Sequence, residues 1–230
     1  MRTQDLDLVR ALPLFKGMAD PRFDELFRGA FLQRFPTRVV LISEGERADF
    51  LHVVVEGAVE LFAAHGGRET TIDIIQPVTT FILAAVIQDE VYLKSARTLT
   101  PAQVLMIPAE AVRGVFGQDA MFARAVVSEL AQRYRDVVRE LKNQKLRTGI
   151  ERLANWILQN DALSGGKGTF SISSDKRTIA SLLGMTPENL SRNLATLATD
   201  CIVSEGREIR IVDRDKLIGL ASPDPLIDRS

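Results

Sequence analysis

Reactive side chains are scarce in this chain of 230 residues, which contains one cysteine and two histidines. Cys201 alone cannot form a disulfide within the chain, and one thiolate cannot hold an iron–sulfur cluster, which needs four such ligands. No Cys–His pair, Ser–His–Asp triad or metal cluster can be assembled by spacing from so few residues. The composition therefore argues against an enzyme and assigns no metal site.

Long apolar runs and a strong net charge are also missing. No run approaches the ~18–20 apolar residues that span a bilayer, and the charged N-terminus does not resemble a signal peptide. We therefore expect a cytoplasmic protein that does not enter a membrane. The formal charge of −1 argues only against a non-specific polycation. The apolar content of 46% is enough for two domains with their own cores.

The segment that begins at Thr186 has the pattern of an amphipathic helix. Thr186 is a suitable N-cap, and Pro187 fits the first helical position, where its missing N–H costs nothing. Leu190, Leu194 and Leu197 recur at the spacing of one helix face and are expected to pack on a core. The other face is left free for an outside partner.

That free face carries side chains that can read DNA bases. Arg192 can bind guanine through two hydrogen bonds, Glu188 can accept from cytosine, and Ser191 can bond to several bases. An isolated Glu and Arg four residues apart would ordinarily form a surface ion pair. The flanking sequence has to decide between these two interpretations.

The flanking sequence predicts a winged helix. Residues 174–185 predict a short helix that ends at Gly184, and two short helices joined by a glycine-containing turn form a helix-turn-helix. Residues 202–212 alternate apolar and polar side chains around Gly206, which is typical of a β-hairpin. The glycine-rich loop at residues 164–168 lacks the spacing of a phosphate-binding loop and is predicted to be a turn before a strand.

Residues 174–212 resemble the C-terminal domain of the Crp/Fnr superfamily of bacterial transcription regulators. Glu188, Ser191 and Arg192 match the Glu-x-x-Ser-Arg signature of the Fnr branch, whereas Pro187 and Ser191 depart from the catabolite-activator branch. The resemblance implies double-stranded DNA with an inverted repeat of TTGAT-type half-sites as the target, and RNA polymerase as a further partner. It also implies phosphate contacts at the start of the first helix. The DNA-binding residues are expected to be Glu188, Ser191, Arg192, Lys176, Arg177, Thr186 and Asn189.

The N-terminal part breaks into short apolar segments with the period of β-strands. Glycine and proline separate these segments, which indicates an all-β roll or barrel. The strands are predicted at residues 39–42, 50–55, 58–62, 70–75 and 103–107. The spacing of Gly45, Gly57 and Val59 is similar to that of the superfamily's cyclic-nucleotide-type roll, so the resemblance covers nearly the whole chain.

Residues 119–146 contain no proline or glycine and predict one long helix. Apolar residues recur along it at spacings of 3, 4, 3 and 4, which is the seam of a two-stranded coiled coil. The seam residues are Val127, Leu130, Tyr134, Val137 and Leu141. A homodimer would hold two recognition helices roughly 34 Å apart, as a palindromic operator requires. The alternative is an amphipathic helix that packs on its own roll.

These patterns together predict an α+β protein. Its parts are an N-terminal cyclic-nucleotide-binding-like β-roll, a long dimerisation helix and a C-terminal winged helix-turn-helix. The predicted domains are an effector-sensing roll at residues 1–118, the dimerisation helix at residues 119–147 and the DNA-binding domain at residues 148–230. Thr148 and Gly149 are the predicted hinge.

The roll departs from the superfamily's cyclic-nucleotide cassette. In that cassette, the Glu of a Phe-Gly-Glu motif holds the ribose hydroxyl, and the Arg of a following Arg-Ala or Arg-Ser holds the phosphate. Here Ile82 and Leu83 follow Phe81 in place of Gly and Glu, and Lys94 precedes Ser95 in place of Arg. Lysine cannot form the bidentate fork of arginine, so the sequence argues against cyclic AMP as the effector.

An apolar effector site is predicted instead, and its residues are Phe81, Ile82, Leu83, Val86, Lys94 and Ser95. The segments at residues 81–87 and 92–99 resemble the NnrR/DNR-type regulators, which respond to nitric oxide and control nitrite and nitric oxide reductase genes. This resemblance implies haem as the candidate cofactor, through which nitric oxide would be sensed. The candidate ligands are His52 and His65. The alternatives are a His52 that fills the roll as a strand residue and a His65 exposed in a hairpin turn.

Two classes of function stay open beside an enzyme, which the composition disfavours. The favoured one is a homodimeric regulator of denitrification and nitric oxide response genes, with an effector-independent regulator of the same superfamily as its variant. The other is a β-roll regulatory protein whose C-terminal helices bind a protein partner. Glu188, Ser191 and Arg192 discriminate between them, because a protein-binding variant has no reason to retain all three.

Overall fold

The computed structural model describes residues 3–172 and 174–228. The chain divides into two units, the first ending at Arg133 and the second beginning at Tyr134. The first contains two β-sheets with short helices, and the second is mainly helical with one small sheet. The α+β fold that the sequence predicts is confirmed.

The first unit is a roll of two four-stranded antiparallel sheets. Its strands are β1 (Phe31–Phe35), β2 (Val40–Ile42), β3 (Phe50–Glu56), β4 (Val59–His65), β5 (Arg68–Ile75), β6 (Thr79–Phe81), β7 (Ser95–Thr98) and β8 (Ala102–Pro108). One sheet has the order β1-β8-β3-β6, and the other has the order β2-β7-β4-β5. The five predicted strands are confirmed as β2, β3, β4, β5 and β8, whereas β1, β6 and β7 were not predicted.

The centre of the roll is apolar on β3 and β8. Leu51, Val53, Leu105 and Ile107 are fully buried there. The turn from β3 to β4 needs Gly57, because its φ is +81° and a Cβ would lie 2.3 Å from the carbonyl oxygen of Pro101. Only glycine allows so close an approach.

Short helices complete the first unit, together with the start of a long helix. They are α1 (Thr3–Arg10), α2 (Asp20–Phe27), α3 (Leu83–Gln88) and α4 (Ala109–Phe116), and the long helix is α5 (Ala120–Leu146). Phe15 packs edge-to-face on Phe27 and stacks on Phe122 of α5, with 6.0 Å between the centroids of the stacked rings. This aromatic packing fixes the first turns of α5 on the roll.

The long helix α5 is confirmed over 27 residues without a break. The Asp119 carboxylate caps its start by accepting from the backbone N–H groups of Met121 and Phe122, each at 2.9 Å. The next helix, α6 (Gly149–Leu163), begins with a capping box formed by Thr148 and Glu151. The predicted hinge therefore lies at the break between two helices.

The second unit is a winged helix-turn-helix. After α6 it contains β9 (Thr169–Ser171), α7 (Lys176–Leu182), α8 (Pro187–Leu197), β10 (Ile202–Glu205), β11 (Glu208–Ile211) and α9 (Arg214–Ala221). The small sheet has the order β10-β11-β9. The second unit has its own apolar core, in which the fully buried side chains include Leu153, Ile157, Leu197 and Ile209. In the part of the chain that the structure describes, no helix is both long and apolar enough to cross a bilayer.

Candidate nucleic-acid interface and sensory site

Helix α8 starts as its sequence predicts. Thr186 has extended backbone angles, and its hydroxyl oxygen accepts from the backbone N–H of Asn189 at 3.3 Å, while Pro187 occupies the first turn. Leu190 and Leu197 are buried and Leu194 is half-buried against the core of the second unit. The apolar face is therefore occupied, and its packing fixes which residues the helix exposes.

The polar face of α8 is open to solvent. Glu188, Asn189, Ser191 and Arg192 are all exposed. The backbone N–H of Glu188 and the Thr186 hydroxyl hold the pKa of the Glu188 carboxyl below its usual value. Arg192 takes part in none of the ion pairs among the described residues. The ordinary ion pair between Glu188 and Arg192 is therefore not formed, and Arg192 is free for a partner.

The first helix of the motif presents two cations at its start. Lys176 and Arg177 are exposed at the beginning of α7, and the Asp175 carboxylate caps this helix by accepting from the backbone N–H of Thr178 at 2.8 Å. The turn to α8 passes through Gly184, whose φ of +61° is in the left-handed region that favours glycine. The predicted helix-turn-helix is confirmed, with the predicted phosphate-contacting residues on its surface.

Arg152 on α6 holds this turn in place, although no sequence pattern predicts this role. Its guanidinium donates to the carbonyl oxygens of Leu183 at 2.8 Å, Gly184 at 3.3 Å and Arg147 at 2.6 Å. The turn before α8 is thereby tied to the junction between α5 and α6. No motif marks Arg152, because its partners are backbone carbonyls that any sequence provides.

The wing adds further cations to this surface, and the sequence pattern did not predict them. Strands β10 and β11 meet at Gly206, as predicted, and Arg207 and Arg210 are exposed on this hairpin. Arg207 borders the same cavity of about 160 Å³ as Lys176, so the wing and α7 bring two cations to one part of the surface. Such a cluster suits the phosphates that flank a base-reading helix.

The two parts of the chain match two known families. Residues 32–119 match the cyclic nucleotide-binding domain, and residues 151–220 match the Crp-like helix-turn-helix domain. A CRP-like cAMP-activated global transcriptional regulator of Mycobacterium tuberculosis is 25% identical over 217 residues, which are 92% of this chain and 97% of that protein. The chain thus combines the two domains of Crp/Fnr-type transcription regulators, one matching the cyclic nucleotide-binding domain and the other the Crp-like helix-turn-helix domain. The prediction that it is not an enzyme is confirmed by these relatives.

Solved structures show the same fold as this Crp/Fnr regulator. FixK2 from Bradyrhizobium japonicum superposes with a TM-score of 0.75 at 23% identity, covering 85% of this chain and 98% of FixK2. DNR from Pseudomonas aeruginosa superposes with a TM-score of 0.52 at 22% identity, covering 96% of this chain and 99% of DNR. Identities this low establish the fold and nothing finer.

The cassette residues of this Crp/Fnr regulator lie in the core of the roll. Phe81 ends β6, Leu83 and Val86 belong to α3, and each is at most 5% exposed. Ile82 lies between the two elements with a left-handed φ of 65°. Leu83, which replaces a glutamate in the resemblance to the cyclic-nucleotide cassette, has an enclosed apolar side chain. A ligand reaches these residues only if the core opens.

The position of the phosphate-binding arginine is also altered. Burial lowers the pKa of the Lys94 ammonium. The positive charge of Arg133 lowers this pKa further, whereas the negative charge of Asp73 raises it. The hydroxyl oxygen of Ser95 already accepts from the backbone N–H of Glu44 at 2.9 Å. This arrangement lacks the bidentate cation of a cyclic-nucleotide site.

The two candidate haem ligands lie in different surroundings, His52 in the core of the roll and His65 at the surface. His52 is 1% exposed on β3, and neither of its ring nitrogens has a hydrogen-bond partner among the described residues. Burial lowers its pKa to about 4, so the imidazole is neutral, which is the form that binds iron. Its ring stacks on Phe81 with 5.1 Å between centroids, so binding a macrocycle requires Phe81 to move. His65 is exposed at the end of β4. No cluster of three or more metal-binding side chains occurs in the described ranges.

The predicted seam is largely uncovered in the single chain. Val127, Tyr134, Val137 and Leu141 are 53–71% exposed, whereas Leu130 is half-buried and packs against the core of the roll. Of the five seam residues, Leu130 packs on the roll, as Phe122 and Val126 of the same helix also do. The other four side chains need a partner surface to be buried.

Proposed function

We propose that this Crp/Fnr regulator binds a TTGAT-type palindrome as a homodimer and controls genes of denitrification and the nitric oxide response. The observation that supports DNA as the target is the free polar face of α8. Glu188, Ser191 and Arg192 project from a helix whose opposite face is packed, and Arg192 has no competing carboxylate. The exposed cations Lys176 and Arg177 supply phosphate contacts beside it.

Base reading is tested by comparing two cation variants on two operators. Arg192→Ala is expected to weaken binding to the palindrome by about 1–3 kcal/mol and to abolish discrimination at the half-site guanine. Lys176→Ala is the matched control, because loss of a phosphate contact weakens binding to every sequence and lowers the salt slope by about one unit. Titrations with the palindrome and with its guanine-substituted form separate the two effects. Unchanged affinity of the Arg192 variant would contradict the proposal.

The proposed homodimer matches the two-fold symmetry of a palindromic operator. A dimer joined along α5 would hold two copies of α8 about one DNA turn apart. Four exposed apolar residues of the seam support this arrangement, because monomeric proteins rarely leave an aligned apolar row uncovered. RNA polymerase is the partner that a regulator bound at a promoter would contact.

Haem is the proposed cofactor of the roll, with His52 as its ligand. The enclosed, neutral and unpaired imidazole of His52 supports this assignment, together with the resemblance to NnrR/DNR-type regulators. Haem iron would supply a binding site for nitric oxide. The chain's own contribution would be to hold the ring nitrogen of His52 towards the iron and to exclude water from it through the surrounding apolar side chains.

An absorption spectrum tests the haem assignment. The protein, loaded with haem under anaerobic conditions, is expected to show a Soret band that His52→Ala abolishes and that the matched variant His65→Ala retains. Addition of nitric oxide should shift the band and tighten operator binding, because a ligand switches a protein only through unequal affinity for its two states. A flat spectrum, or a band indifferent to His52, would exclude this cofactor site.

A regulator without any effector is the second candidate, and the closed core of the roll favours it. Leu83 and Val86 are buried in the segment that resembles the cyclic-nucleotide cassette, so no ligand reaches them in the closed roll. Under this alternative, operator affinity is the same with haem, nitric oxide or cyclic AMP added. Clear binding of cyclic AMP in calorimetry would contradict both candidates, because each assumes that the altered cassette no longer holds the nucleotide.

A further inference from the structure

The chain that follows α9 returns to the junction between α5 and α6. Arg147 and Asp228 form a bidentate ion pair there, with Nη1 and Nη2 donating to Oδ1 at 2.7 Å and to Oδ2 at 2.6 Å. The side chains of the two residues are only 6% and 14% exposed. Such a pair is stronger than a surface ion pair, because its fork geometry is fixed and little water competes for it.

Further hydrogen bonds fasten the same segment. Arg147 also donates to the carbonyl oxygen of Ser222 at 3.4 Å, and Lys142 of α5 donates to the carbonyl oxygen of Leu226 at 3.3 Å. The Asp228 carboxylate accepts in addition from the backbone N–H of Asp224 at 2.8 Å. The segment at residues 222–228 thus contacts the last turns of α5 at several points.

Arg147 is held from two sides. Its side chain is bound by Asp228, and its carbonyl oxygen accepts from Arg152, which also bonds to the carbonyl oxygens of Leu183 and Gly184. One residue at the end of α5 is therefore connected both to the C-terminal segment and to the turn that precedes α8. A large change in the angle between α5 and α6 would strain these bonds.

We infer that residues 222–228 act as a clasp that fixes the junction of α5 and α6 and so preorganises α8 for its operator. A loose junction would have to be ordered when both half-sites are bound, and that ordering lowers affinity. The clasp is thus a conformational device that sets the strength of DNA binding without contacting DNA. Its effect on affinity rests on the proposed function, whereas its effect on the junction does not.

The test removes the ion pair at either end. Asp228→Asn is expected to accelerate amide hydrogen exchange at residues 147–152. It should also lower operator affinity about tenfold, which is a typical size for the effect of one site on binding at another. Arg147→Lys should have a similar but smaller effect, because lysine keeps the charge without the fork. Asp200→Asn is the matched control in the same unit. Asp200 pairs with Lys216 at the surface, where their side chains are 60% and 57% exposed, respectively. The control should change neither measurement.

The outcomes separate the clasp from its alternatives. Exchange and affinity both unchanged in Asp228→Asn would overturn the proposal. Unfolding of the second unit, both in Asp228→Asn and in a chain shortened after Pro223, would also overturn it, because the segment would then be part of the fold. Failure of the wild-type protein to bind the palindrome would contradict the proposed function and would leave the exchange measurement as the test of the clasp.

Discussion

At the scale of single residues, His52 shows how burial determines protonation. Its ring is enclosed between strands and stacks on Phe81, and no side chain of the described residues hydrogen-bonds to either nitrogen. The Phe50 backbone favours the charged form but does not offset burial. Desolvation disfavours the charged imidazolium, which lowers the pKa to about 4. A group buried in this way makes stability depend on pH.

The sign of this dependence can be predicted. The unfolded chain binds a proton at His52 near pH 6.5, and the folded chain does so only near pH 4. The free energy of unfolding should therefore be independent of this group above pH 6.5 and fall as the pH decreases towards 4, by about 2 kcal/mol between pH 7 and pH 5. Denaturant unfolding of wild type and His52→Phe at both pH values measures this contribution as a difference.

The variant His52→Phe keeps an aromatic ring against Phe81 and cannot be protonated, so it should lose that part of the pH dependence. His65→Phe is the matched control, because His65 is exposed and its replacement should leave the dependence intact. An identical change in unfolding free energy for wild type and His52→Phe would show that His52 is protonated equally in both states.

The sequence predicted the residues of the candidate interface that follow a helical period. Exposure of Glu188, Ser191 and Arg192 follows from the packing of the leucines on the other face of α8. Arg152 and the pair of Arg147 with Asp228 could not be predicted. Arg152 bonds to backbone carbonyls, and the paired residues are 81 positions apart, so only the tertiary fold brings these groups together.

At the scale of elements, local signals predicted most helices and strands of the second unit and fewer of the first. Caps and glycines mark the ends of α7, α8 and the wing, and these elements lie where they were expected. The strands β6 and β7 were missed because they have three and four residues and no clear alternation of apolar and polar side chains. Their conformation comes from pairing with β3 and with β2 and β4.

The start of α8 gives a prediction at this scale. Thr186→Ala removes the hydroxyl that accepts from Asn189 and bonds to Glu188, so the free energy of unfolding should fall by about 1 kcal/mol. Operator affinity should fall as well, because Glu188 loses one of the bonds that position it. Thr196→Ala is the matched control on the same helix, where an exposed threonine gives way to a better helix former. Equal effects of the two substitutions on unfolding and binding would contradict the capping role.

At the scale of the whole molecule, the seam on α5 determines whether one chain can act alone. Val127, Tyr134, Val137 and Leu141 lie on one face at coiled-coil spacing and are mostly exposed. Leu130 is the exception, because it already packs against the core of the roll. Substitution of Leu130 would therefore disturb the fold of a single chain and could not report on assembly alone.

The double variant Val137→Glu, Leu141→Glu tests assembly without that complication. These side chains are 66% and 53% exposed, so the single chain should fold normally, whereas a shared seam would bring carboxylates from both copies together in its C-terminal half. Sedimentation at micromolar concentration should show a dimer for wild type and a monomer for this variant. The matched control is Ser128→Glu, Gln132→Glu, which adds the same charge at exposed positions outside the seam and should leave the dimer intact. Operator affinity should fall only in the first variant, because two separate half-site contacts replace one bivalent contact. A wild-type monomer would contradict the proposed homodimer, whereas a dimer that survives both substitutions would place the interface outside the seam and require another way to hold two recognition helices one DNA turn apart.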